Sequence, residues 1–377
     1  MFSANQLASP AVLDIAPYVP GKPLSELERE YGIRDSIKLA SNENPLGPGA
    51  LALAAIAKAA GEIGLYPDAN GFALKQALAR KYQCAAEGIT LGNGSNDVLV
   101  MIAEAFLTRD AEAVYSQYGF AVYPIAVQAT GATAKVAPAL AKGHPMALGH
   151  DLDAMLKLVS SRTRVVFVAN PNNPTGTWLE AAPLRAFIAA LPLTTLVVVD
   201  EAYIEYVEDG SFPDSSRWLA EFPNLVVTRT FSKAYGLAGL RVGYALSSPA
   251  IANLLNRVRQ TFNVNCIALA AARAALDDAQ HLRTTIDLNR EGMQQLVAGL
   301  AQLPARLPVS VTPSRGNFVL IDCGRAAMPV YDAMLRQGVI VRPVGNYQLP
   351  DHLRLTIGTR EQNQRMLGAL THALGTA

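Results

Sequence analysis

The chain has 377 residues, enough for one large domain or two packed ones. Its 32 basic and 31 acidic residues nearly cancel, which argues against a nucleic acid or an anionic membrane surface as partner. Half of the residues are hydrophobic, the N-terminus lacks the pattern of a secretion signal, and no run approaches a membrane span, so a compact cytoplasmic protein is expected.

Residues 1–35 hold Pro10, Pro17, Pro20 and Pro23, a density that forbids a long helix. They read as an extended arm followed by a short helix over 25–31. Tyr18 and Val19 in that arm are apolar material that a free tail would hardly need. Residues 37–40 read as a short strand and Ser41-Asn42-Glu43-Asn44-Pro45-Leu46-Gly47-Pro48 as a turn, with an alanine-rich helix over about 49–60. Leu65-Tyr66-Pro67-Asp68 and Gly71 then lead into a second helix, and in isolation Tyr66 is an ordinary partly buried tyrosine.

From residue 89 strands and helices alternate. Strands are expected near 89–92, 112–115, 132–136, 163–169, 194–199, 224–230 and 242–246, which argues for an α/β fold with a mainly parallel, seven-stranded sheet. Chemistry then belongs at the carboxyl ends of the strands.

Those ends carry the polar motifs. In Gly92-Asn93-Gly94-Ser95-Asn96-Asp97 the glycines let the backbone turn, and the free amides at Ser95 and Asn96 would face an anion along the helix dipole. Asp97 departs from the dinucleotide pattern, and the motif alone is also a plain capped helix start. Tyr115-Ser116-Gln117-Tyr118-Gly119-Phe120 ends the next strand. In Asn170-Pro171-Asn172-Asn173-Pro174-Thr175-Gly176 the prolines fix a turn that leaves Asn173 with donor and acceptor capacity. Leu196-Val197-Val198-Val199 runs straight into Asp200, a carboxylate that is costly to bury unless paired, or else a helix cap. Tyr203 lies three residues on.

Thr230-Phe231-Ser232-Lys233-Ala234-Tyr235-Gly236-Leu237-Ala238-Gly239-Leu240-Arg241-Val242-Gly243 is the densest stretch. Its hydroxyls and Arg241, beside glycine-loosened backbone, suit a phosphate. A lysine held there has its pKa lowered by burial and a cationic neighbour, and becomes an amine able to form a Schiff base. Taken alone, Ser-x-Lys is more often a solvated loop lysine.

After 257–265 an alanine-rich helical region begins, and strands follow over 315–321, 339–343 and 352–359. The expected organisation is an arm at 1–35, a large domain at 36–265 and a smaller α/β domain at 266–377. Cys84, Cys266 and Cys323 are far apart and odd in number, and read as reduced apolar residues rather than a metal site or disulfide framework.

Asp200-x-x-Tyr203, Lys233 and Arg241 at their spacings, with Asn173 and Arg354, resemble the active-site pattern of the fold-type I pyridoxal-phosphate enzymes, the aspartate aminotransferase superfamily. The resemblance spans essentially the whole chain. The arm's Pro-Tyr-Val-Pro-Gly-Lys-Pro, Ser41-Asn42-Glu43-Asn44-Pro45 and Gly94-Ser95-Asn96-Asp97 are most similar to the histidinol-phosphate aminotransferase branch. It implies pyridoxal 5′-phosphate joined to Lys233, with Asp200 on the pyridine nitrogen, Tyr203 and Asn173 on the phenolic oxygen, and Tyr118 against the ring face. Ser95, Asn96, Thr230, Ser232 and Arg241 would surround the cofactor phosphate, and Lys233, Asp200 and Tyr203 would be the catalytic group.

It further implies that Arg354 and Asn173 hold the substrate α-carboxylate, that Asn42 stands at the substrate mouth, and that Tyr18 and Arg342 contact a substrate phosphate. Tyr66 would cross a homodimer interface to the neighbouring cofactor phosphate; no metal is implied. The implied reaction is a ping-pong amino transfer between histidinol phosphate and 2-oxoglutarate. An aromatic amino-acid aminotransferase shares the catalytic residues, and a decarboxylase of phosphorylated threonine shares the fold. A transcriptional regulator built on this fold would need an added basic helix-turn-helix domain, for which there is no room.

Overall fold

The computed structural model describes residues 2–17, 21–307 and 309–376. Tyr18, expected near a substrate phosphate, lies outside the described residues. In chain order the strands are β1 Ile37–Lys38, β2 Ile89–Gly92, β3 Glu112–Ser116, β4 Thr133–Ala137, β5 Thr163–Ala169, β6 Leu196–Asp200, β7 Leu225–Thr230 and β8 Gly243–Ser247. The C-terminal part adds β9 Ser310–Thr312, β10 Phe318–Asp322, β11 Val339–Ile340, β12 Arg342–Pro343 and β13 His352–Thr356.

The seven-stranded sheet runs β2-β8-β7-β6-β5-β3-β4, and β8 alone is antiparallel to its neighbours. β5, β6 and β7 are near-continuous β-branched runs because both of their faces are covered by helices. Val166, Val168, Val197, Val199 and Val227 face one core, together with Ala52, Ala268 and Ala272. Val165, Phe167, Val198 and Val226 face the other, with Val98, Ile102 and Leu255. This two-residue alternation between two cores fixes strand register, since a one-residue slip would exchange the faces.

The smaller unit is an antiparallel sheet, β12-β13-β10-β9, covered by the helices Ala279–Ala301, Ala327–Leu335 and Arg360–Thr376. Its core takes Leu27, Leu39 and Ala40 from the N-terminal part, and β1 pairs in parallel with β11. Residues 37–40 therefore pack with the smaller unit rather than with the large sheet. At the other expected boundary, near 265, the helix Cys266–Ala275 packs Ala268, Ala271, Ala272 and Ala275 into the large core. Its small alanine face allows close approach to the helix Ala50–Ala59. The expected extended arm instead carries two single-turn helices, Ala4–Leu7 and Pro10–Leu13, and Pro10 suits a first helical position because its missing N–H is not needed there.

Candidate active site

The carboxyl ends of β5, β6 and β7 meet the 41–48 turn and the β12–β13 edge around a cavity of about 200 Å³. Lys233 stands on the turn after β7. That turn needs Gly236, at φ +70°, because a Cβ there would strike the backbone of Gly47. Lys233 Nζ donates to the Ser41 carbonyl at 3.1 Å and lies 5.8 Å from the centre of the Tyr203 ring. Burial, and then the nearby Arg354 and Arg241 guanidinium groups, push its pKa down to about 7, against the opposing pull of Glu43 and Asp200.

Asp200 ends β6 almost fully buried. Its Oδ1 accepts from the Thr228 hydroxyl and its Oδ2 from the Tyr123 phenol, each at 3.0 Å. Burial raises its pKa to about 6, with Thr228 and Tyr123 opposing the rise. The Tyr203 oxygen accepts from Asn42 Nδ2 at 2.9 Å, which leaves the phenolic proton available to another acceptor. Burial pushes that phenol up to about 12.

At one pole of the cavity, Gly94 at φ +82° precedes the helix Ser95–Phe106, whose start has no side-chain cap. A Cβ on Gly94 would strike the Arg241 guanidinium, and one on Gly243 would strike the Ser95 amide, so only glycine permits this packing. Arg241 donates to the Ser232 hydroxyl at 3.3 Å, and Thr230 lines the same pole. Hydroxyls, a guanidinium and an uncapped helix start together form an anion site.

At the other pole, Arg354 donates to Asn173 Oδ1 and to the Ala40 carbonyl, both at 2.5 Å. Arg342 sits opposite it in register on β12. Asn42, at φ 55°, accepts the Thr356 hydroxyl on Oδ1 at 3.0 Å, so its amide bridges the smaller sheet to Tyr203.

Asn42, Ser95, Asn96, Asn173, Asp200, Tyr203, Thr230, Ser232, Lys233, Arg241, Arg342 and Arg354 thus line one cavity. Tyr118 does not: it packs against the buried cluster of Leu320, Val344 and Leu349, and Phe120 lines the cavity instead. Gly119 turns the chain sharply between the two rings, its N–H bonded to the Ser116 carbonyl at 2.8 Å, and so assigns them to different sides. Tyr66 is 83% exposed and stacks on Phe262 at 4.6 Å, away from the cavity of its own chain. Sequence reasoning missed Phe120, Tyr123 and Thr228; of these only Thr228 had a signal, since it shares a strand face with Thr230 two residues on.

The donor set suits pyridoxal phosphate. Lys233, Arg241, Arg342 and Arg354 face one buried carboxylate, Asp200, so the cavity is built for anionic groups and offers a depressed-pKa amine between them. Comparison with known proteins agrees. The profile of the family described as "Aminotransferase class I and II" matches residues 34–370. Histidinol-phosphate aminotransferase 2 of Pseudomonas fluorescens Pf-5 is 55% identical over 373 residues, covering 98% of each chain. Its counterpart in Methylococcus capsulatus is 54% identical over 99% of each. The crystal structure of histidinol-phosphate aminotransferase from Sinorhizobium meliloti in complex with pyridoxal-5′-phosphate superposes with a TM-score of 0.89 at 31% identity, covering 100% of this chain and 99% of that one. This chain belongs to the class I and II aminotransferase family and, within it, to the histidinol-phosphate aminotransferases.

Proposed function

We propose that the chain transfers the amino group of histidinol phosphate to 2-oxoglutarate, with pyridoxal 5′-phosphate as cofactor. The observation that carries this reading is the buried Lys233 amine, held near neutrality amid Arg354, Arg241 and Asp200, in a chain whose full-length relatives are histidinol-phosphate aminotransferases.

In this reading Ser95, Asn96, Thr230, Ser232 and Arg241 hold the cofactor phosphate, and Asp200 holds the ring nitrogen. Asn173 and Tyr203 hold the phenolic oxygen, and Phe120 covers the ring. When bound, pyridoxal phosphate supplies an electron sink for charge developing at the substrate Cα. The chain's own groups do the rest. With a pKa of about 7, much of Lys233 is a neutral amine near neutral pH, able first to anchor the cofactor and then to carry a proton on Nζ from the substrate Cα. Asp200 keeps the ring nitrogen protonated by offering a desolvated negative charge. Tyr203 remains protonated across the working range and donates its O–H.

Arg354, braced by Asn173 and Ala40, takes the α-carboxylate of glutamate or 2-oxoglutarate. Arg342, one strand away, takes the phosphate of histidinol phosphate. Asn42 forms the wall that positions Tyr203. We assign a homodimer in which Tyr66 serves the neighbouring subunit's cofactor phosphate. Leu65, Tyr66 and Phe72 are 75%, 83% and 66% exposed, which makes an apolar surface that a second copy would cover. The cytoplasm is the assigned compartment, in keeping with Cys84, Cys266 and Cys323 as free thiols. Among the described residues no helix is long and apolar enough to cross a membrane.

Steady-state turnover of histidinol phosphate and of phenylalanine against 2-oxoglutarate tests the reading. A clear preference for histidinol phosphate is expected, and a preference for phenylalanine would move the chain to the aromatic aminotransferases.

A further inference from the structure

Among the described residues Asp200 is the only acidic group lining a cavity that also holds Lys233 and three arginines, and its orientation rests on two donors from different layers of the fold. Thr228 comes from β7, at the position paired in register with Asp200. Tyr123 comes from the helix Val122–Ala129, on a face of the sheet that contributes nothing else to the carboxylate among the described hydrogen bonds.

Tyr123 is fully buried and its ring is fixed on several sides. It stacks on Phe167 at 4.8 Å with planes 13° apart, and meets Phe120 edge-on at 6.0 Å. Gly119 lies so close that a Cβ there would sit 3.2 Å from the ring. A phenol caged in this way cannot follow a carboxylate that rotates, so it defines where Asp200 Oδ2 must be.

We propose that Tyr123 is a positioning residue for the amino transfer: its phenol, together with the Thr228 hydroxyl, holds Asp200 as an oriented carboxylate for the cofactor's ring nitrogen. Each carboxylate oxygen accepts one bond from the chain and keeps lone-pair capacity for the ligand. Donors to a carboxylate stabilise its charged form, which opposes the burial that would otherwise favour the neutral acid. The same aromatic cage joins this carboxylate to Phe120, so the ring-covering side chain and the ring-nitrogen partner are set by one rigid element. The inference rests on the reading of Asp200 as the ring-nitrogen partner.

The test uses Tyr123→Phe, which keeps the cage and removes one oxygen, and Thr228→Val, which removes the other donor at similar volume. Asp200→Ala and the Asp200→Ala/Tyr123→Phe double variant accompany them. Pyridoxal-phosphate affinity of each apo-protein, the pH midpoint of the bound-cofactor absorbance, and the urea unfolding midpoint of the apo-protein are measured. Other titrating groups near the pair are Glu201, Lys233 and Tyr203, with Tyr347 close to Tyr123, and all are left in place.

Tyr123→Phe is expected to weaken cofactor affinity about tenfold or more, since one charge-assisted bond is lost. It should also raise the absorbance midpoint by about half a unit or more, because a ring nitrogen that carries less positive charge opposes protonation next to Lys233 less strongly. Thr228→Val should move both readouts in the same direction, and Tyr123→Phe should add little once Asp200 is alanine.

Unchanged affinity and midpoint in Tyr123→Phe, with only the unfolding midpoint lowered, would overturn the proposal and leave Tyr123 a packing residue. If Tyr123→Phe does not fold, Thr228→Val decides: a shift supports the two-donor mechanism and no shift overturns it. Parent-like cofactor binding and midpoint in Asp200→Ala would instead sink the Asp200 assignment, and with it this inference. A loss confined to Asp200→Ala would keep that assignment and reject only the role of Tyr123.

Discussion

Lys233 is charged in the unfolded chain near neutral pH and only partly so in the folded one. Burial disfavours its ammonium form, Arg354 and Arg241 repel it, and the Ser41 carbonyl is its only hydrogen-bond partner among the described contacts. With a folded pKa of about 7 against an ordinary 10.5, the neutral amine is gained as pH rises through about 7. The rate at which apo-protein captures pyridoxal phosphate, followed by absorbance in a stopped-flow mixer, should therefore rise with a midpoint near pH 7. A midpoint near 10 would show a solvated lysine. Lys233→Ala should lose the bound-cofactor band and turnover together, and near-parental turnover would refute the assignment. That Lys233, Asp200, Arg241 and Arg354 belong to one cavity was legible from their residue types and spacing, with Asp200 and Lys233 at or just after strand ends that sequence patterns locate. Which aromatic side chain lines the cavity was not legible: Tyr118 and Phe120 flank Gly119, and only the turn decides which of them faces inward. Nor could spacing reveal Asn42 under Tyr203 or Tyr123 under Asp200, contacts made across 161 and 77 residues.

At the scale of elements, β7 serves two masters through its period of two. Thr228 and Thr230 point to the cavity side, while Arg229 points away into a buried ion cluster. Its guanidinium reaches Glu201 at 2.6 Å and Asp214 at 2.5 Å and lies 4.8 Å from the centre of the Tyr82 ring. Glu201 follows Asp200 directly, so this cluster locks the end of β6 behind Asp200. Arg229→Met should cost about 3–5 kcal/mol in urea unfolding, because it strands a fully buried carboxylate. Burial already raises the pKa of Glu201, and losing Arg229 raises it further. A raised folded pKa means the penalty exists above that pKa and is relieved below it, so the deficit should shrink as pH falls. A deficit under about 1 kcal/mol, the range of an exposed pair, would show that the cluster is solvated. Strands of this kind were legible from their β-branched runs. The small pieces were not: β1 is two residues long and is defined by pairing with β11, far along the chain, rather than by its own propensity.

For the whole molecule, the cavity of one chain is incomplete in the proposed reading, because Tyr66 faces outward. Mixing Tyr66→Phe with Lys233→Ala subunits should form heterodimers in which one site has both native residues, and activity should exceed that of either parent. No gain, with heterodimers shown to form, would count against a shared site. In the proposed reading substrate choice is set where the two sheets meet, since Arg342 and Arg354 lie in register on adjacent strands of the smaller unit and both reach a cavity floored by the larger one. Two neighbouring guanidinium groups match an anionic substrate end better than an apolar one. If Arg342 and a second group each make a charge-assisted bond of about 1.5–3 kcal/mol to the phosphate, histidinol phosphate should exceed unphosphorylated substrates by about 10²- to 10⁴-fold in kcat/KM. Arg342→Ala should then remove about 10- to 100-fold of that preference while phenylalanine turnover stays near the parental value. Equal losses on both substrates would mean that Arg342 ties the smaller unit together, because a structural defect lowers turnover whatever the substrate carries.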